Sequence, residues 1–129
     1  MASAILLGIV SAVTSAIVAG QQNALAAQEQ ITATLAADAL MARLMTEPYA
    51  SLPTWHLHRE EAGSMVDEFG APMPAAFDTI GREVRVEASS RELDPPGVLM
   101  RGRLVTVIGF NAAGLTLIEL ERFVPEPQT

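Results

Sequence analysis

Two hydrophobic periods divide the chain. From Met1 to Thr46 apolar and polar positions follow a helical spacing without interruption, and from residue 81 onward they alternate in twos, as strands do. The first 20 residues, MASAILLGIVSAVTSAIVAG, carry no charge and nothing more polar than Ser or Thr. Residues 21–46, QQNALAAQEQITATLAADALMARLMT, turn amphipathic with no breaker at the join. Gly20 is the soft point there, and a lone Gly costs about 1 kcal/mol against Ala, too little to stop a stretch this rich in Ala, Leu and Gln. Pro48 is the first proline and biases its predecessor away from helix. The pattern therefore predicts one helix over 1–46, about 68 Å long. A rod of that length suits a bilayer or a filament.

The amphipathic half, 21–46, places Ile31, Leu35, Ala39, Leu40 and Leu44 on one side, with Met41 and Met45 beside them. This stripe predicts a helix–sheet core built on Ile31, Leu35, Leu40 and Leu44. Residues 47–80 have no sustained period and hold Pro48, Pro53, Pro72 and Pro74, which predicts an irregular connection. Tyr49, Trp55, Phe69 and Phe77 are its candidate apolar plugs, and 67–72 carries turn chemistry. Strands are predicted at 83–88, 101–110 and 115–124, with a turn at 111–114 in which Gly114 takes positive φ. The expectation is an α+β fold: a long N-terminal helix on a three-stranded antiparallel meander over 81–125, followed by a tail at 126–129.

The uncharged half is only moderately apolar. Its eight Leu, Ile and Val residues contribute roughly −0.3 to −0.6 kcal/mol each to bilayer insertion. Three Ser, one Thr and two Gly work against that sum. Ala4, Gly8, Ala12, Ala16 and Gly20 recur at every fourth position. Such a stripe lets helix backbones approach closely and is an association signal in apolar helices.

Composition narrows the functional classes. The net charge is −7 and all eight basic residues are Arg, so no basic patch exists for nucleic acid. With no Cys there is no disulfide and no thiolate chemistry. The densest candidate chemistry is His56, His58, Glu60 and Glu61, two imidazoles and two carboxylates within six residues. In an extended segment both histidines would face one way, as metal ligands can, but no third ligand stands at a diagnostic spacing. The segment therefore reads first as a solvated polar loop, and no metal is expected there. No spacing points to a nucleophile, an acid–base pair or a cofactor, so the expectation is a protein that is not an enzyme, takes no cofactor and has no evident small-molecule substrate.

The opening of the chain is not that of a secretory signal, because no basic residue precedes Arg43. Ala24-Leu25-Ala26 has the small residues of a cleavage site but lies inside the helical pattern. Residues 1–11, MASAILLGIVS, and the later positions Ala24, Gln28, Ala39, Leu40, Met41 and Leu44 resemble the first helix of type IV pilins and of the pseudopilins of type II secretion. In that family a basic leader and a GFTLxE string come first. Neither stands before Met1 here, so the resemblance places the start of this chain just past the glutamate. The string Gly114 to Leu120 is close to that motif but is followed at once by Arg122 and Pro125, and it reads as a strand.

The resemblance implies a pilin-like fold and a structural subunit, of minor pilin or pseudopilin type, in a type II secretion or type IV pilus-like system. Its partners would be other pilin or pseudopilin subunits, met through the N-terminal helix, and the membrane. Its location would be the bacterial inner membrane, single-pass, with the C-terminal domain periplasmic. The other reading is a membrane-tethered or secreted, non-catalytic binding domain behind an N-terminal signal or anchor.

Overall fold

The structure, a computed structural model, describes residues 2–93 and 97–127, with side chains over 12–92 and 97–127. Helix α1 runs from Ala2 to Leu44 without a break at Gly20. At 1.5 Å per residue its 43 residues span about 65 Å. Beyond Leu44 the chain tightens: the Thr46 and Glu47 N–H groups donate to the carbonyls of Arg43 and Leu44. The Thr46 hydroxyl also donates to the Arg43 carbonyl, at 2.7 Å. These bonds satisfy carbonyls that the last helical turn leaves open, and Pro48 then forbids continuation.

The connection expected to be irregular holds short ordered pieces. A 3-10 segment spans Tyr49–Trp55, strand β1 is Arg59–Glu60, and a second 3-10 turn is Ala75–Phe77. Tyr49, Trp55 and Phe77 lie half-buried against the core, as expected of plugs. Phe69 does not: it is 86% exposed. It sits at the tip of a turn in which the Asp67 carboxylate accepts the N–H groups of Phe69 and Ala71, each at 2.9 Å. Gly70 completes that turn at φ +80°, a backbone region that costs glycine nothing.

Strands β2 (Ile80–Leu93), β3 (Val98–Asn111) and β4 (Thr116–Pro125) form the expected antiparallel meander. The sheet has four strands rather than three, because β1 pairs with β2 through Arg59↔Glu83 and Glu60↔Arg82. Two residues of pairing leave no period for a sequence to display. The β2–β3 ladder also runs past the alternating stretch, through Ser90↔Arg101 to Leu93↔Val98. Backbone pairing carries that arm, so its polar side chains gave no strand signal. The 111–114 turn is as expected, with Gly114 at φ +84°.

The helix covers one sheet face with Ala33, Ala36, Ala37, Leu40, Met41 and Leu44, all buried. Leu40 and Leu44 are in the core, as their spacing predicted, together with Leu52, Val84, Val105 and Val107. Ile31 and Leu35 are not: they are 61% and 58% exposed, and Ala39 is exposed as well. The reason is close approach. A Cβ built on Gly109 would lie 3.3 Å from the Cβ and the carbonyl oxygen of Ala33. Where α1 crosses Gly109 there is room for the methyl group of Ala33 and none for Ile or Leu, while the larger Leu40 and Leu44 find space about two and three turns further on. The Ala-rich row at i, i+3, i+4 and i+7 therefore turns inward, and the larger residues point about 180° away.

Candidate assembly surface

The face of α1 opposite the sheet carries Val13, Ile17, Gly20, Ala24, Ile31 and Leu35, which share one side at 100° per residue. Val13, Ile17, Ile31 and Leu35 are each more than half exposed. Val18 and Leu25, on a flank, are exposed too. A row of exposed apolar residues along one helix face is a candidate interaction surface. Of the small-residue stripe, Ala12, Ala16 and Gly20 are exposed, and a Cβ on Gly20 would meet nothing within 4 Å. The side chains of Ala4 and Gly8 lie outside the described residues. A row at every fourth residue drifts by about 40° per step. It therefore reaches the outward face at Gly20 and continues there as Ala24, Ile31 and Leu35.

The His56–His58 stretch is not extended, and the chain becomes a strand only at Arg59–Glu60. Leu57 takes φ +66°, which separates the two histidines. Nδ1 of His56 accepts the Val86 N–H at 3.0 Å and so closes part of the open edge of β2. His58 turns toward Glu60, 3.4 Å away, and packs edge-on against Trp55. Glu61 pairs with Arg59 at the surface, and Arg59 also reaches Glu83. Among the described residues no three His, Cys, Asp or Glu side chains converge as a metal site.

Glu60 has a different role from the one its sequence neighbours suggest. It is buried and receives two hydrogen bonds from the equally buried Arg82, at 2.7 and 3.2 Å. The Val66 N–H donates to the same carboxylate at 2.9 Å. Burial pushes this carboxyl up, but the bonds from Arg82 and Val66 outweigh it and hold Glu60 below the usual carboxylate range. Arg82 also donates to the carbonyls of Ala36 in α1 (2.8 Å) and Val66 (2.7 Å). One guanidinium thus ties the helix, β1, β2 and the 61–73 segment together. The sequence held one hint, an Arg at an inward position of an alternating strand, with no way to name its partner.

Two clefts, about 500 and 480 Å³, are open grooves where α1 meets the 111–113 turn and the 67–73 turn, and neither contains a histidine. Among the described residues no helix is long and apolar enough to cross a membrane, so the single-pass inner-membrane span expected of residues 1–20 gains no support. The polar and small residues Ser11, Thr14, Ser15 and Gly20 dilute the apolar run. Compared with known proteins, the chain matches no protein-family model, no curated protein and no solved structure.

Proposed function

We propose that this protein is a pilin-like, non-catalytic structural subunit that assembles with other helix-bearing subunits, of minor pilin or pseudopilin type, through the outward face of α1. The observation that carries the reading is the exposed row Val13, Ile17, Ile31 and Leu35, on a helix whose N-terminal half extends past the sheet. Burying such a row between helices recovers roughly 25 cal/mol per Å² of apolar surface, and the small residues beside it permit close backbone contact. A rest in the inner membrane before assembly is the second half of the proposal. It depends on the apolar residues of 1–20, and carbonate extraction of membranes from producing cells tests it: full release into the soluble fraction overturns that half alone.

Assembly is tested by a photo-crosslinking residue placed at Ile31, and separately at Phe69, in the cells that make the protein. Adducts to a second copy or to another subunit are expected from position 31 and not from 69. Absence of adducts at 31, or equal yields at both, would refute assembly through this face.

A further inference from the structure

The sheet order leaves β4 as an open edge. Its backbone directions follow from the ladder. The Val84 N–H and carbonyl bond outward to His58 and Leu57, and the Glu126 N–H donates to the Arg101 carbonyl. Alternation along antiparallel strands then turns even-numbered residues of β4 toward β3 and odd-numbered ones away. Glu119, Glu121 and Phe123 thus direct their N–H and C=O groups out of the sheet. The opposite edge is partly closed, by β1 and by the bond from the Val86 N–H to His56. Between Ile118 and Val124, β4 has no Pro, no Lys and no register shift, three devices that commonly blunt an edge, and its one basic residue, Arg122, stands opposite Val105 on the helix side.

Charge selects what fits there. Glu119 and Glu121 are exposed on the face away from the helix, opposite Ile108 and Thr106. Among the described residues no cation pairs with either: Arg59 is held by Glu61 and Glu83, and Arg85 stands 3.8 Å from Glu83. A second copy is a poor occupant. Antiparallel pairing of two β4 strands about Leu120 sets Glu119 opposite Glu121 twice, and like charges directly opposite destabilise a ladder. A strand with basic residues at those positions meets two carboxylates instead, and its backbone satisfies the outward groups.

We propose that the free edge of β4 takes an extended, antiparallel segment of a partner protein that carries Arg or Lys at two alternate positions, opposite Glu119 and Glu121, with an apolar residue between them. This site is separate from the helix face and does not depend on it.

The test uses the full chain and the peptide Thr-Val-Arg-Val-Arg-Val-Thr, followed by amide hydrogen exchange and by titration. Exchange at Glu119, Glu121 and Phe123 should slow on binding, while Ser90 and Glu92 on the other edge stay unchanged. Methylating the two arginine backbone nitrogens of the peptide should weaken binding at least about tenfold, as should E119K/E121K. A peptide with Glu in place of Arg should bind the E119K/E121K chain. Equal binding of the methylated peptide would reduce the effect to charge attraction and overturn the proposal. So would unchanged exchange at the three amides, or protection that appears with protein concentration and no peptide.

Discussion

Replacing Arg82 by Met should be among the most damaging single changes in the head. The substitution keeps most of the volume and removes the guanidinium. Glu60 is then left 6% exposed without its guanidinium partner, and the Ala36 and Val66 carbonyls each lose a donor. Breaking one side of a buried ion pair costs about 3–5 kcal/mol. At about 4 °C per kcal/mol for a chain of this size, the midpoint should fall by about 12–20 °C. Thermal unfolding followed by circular dichroism at pH 7 measures it, and the cycle with Glu60→Gln isolates the pair: the double variant should recover at least about 1 kcal/mol of the loss. The pH dependence carries the sign. In the wild type the Glu60 carboxyl lies below its ordinary value of 4.5. Its contribution is therefore complete above that value and is lost as the pH falls through the lower, folded-state one. In R82M burial, the Val66 bond and the nearby His58 remain, burial being the largest of these influences, so the carboxyl moves up from its wild-type position and protonation relieves the penalty. The gap between the two proteins should then narrow as the pH falls from neutral toward 4.5. A loss below about 1 kcal/mol, no coupling, or a gap that widens in acid would refute this account of the network.

Leu35→Asp should shift stability by no more than about 0.5 kcal/mol, whereas Leu40→Ala should cost about 2–5 kcal/mol, both read by urea unfolding. Equal effects would mean that the helix presents a different face to the sheet. Gly109→Ala should cost about 1–3 kcal/mol, because the new methyl would stand 2.8 Å from the Ile118 side chain and 3.3 Å from Ala33; an unchanged midpoint would show that the helix can lift away freely. Ile17→Asp combined with Leu35→Asp should leave the melting curve of the head unchanged and abolish crosslinks from position 31, since both residues are more than half exposed. Retained crosslinks would place assembly elsewhere.

The helix, its passage through Gly20, its end before Pro48, the three long strands and the Gly114 turn were legible in the sequence, because each rests on local periodicity or on the φ preferences of Gly and Pro. Which face of α1 turns inward was not legible. Hydropathy ranks Ile31 and Leu35 above Ala33, Ala36 and Ala37, but the closeness of helix to sheet at Gly109 admits only the smaller row. That is a constraint on volume between elements 76 residues apart, and no local window contains it. The fate of His56, His58, Glu60 and Glu61 was decided in the same way. A positive φ at Leu57 separates the imidazoles, and a guanidinium 22 residues downstream draws Glu60 into the core. Local pattern determined where helix and strands form; packing between distant segments decided which side chains are buried, which are paired and which remain available to a partner.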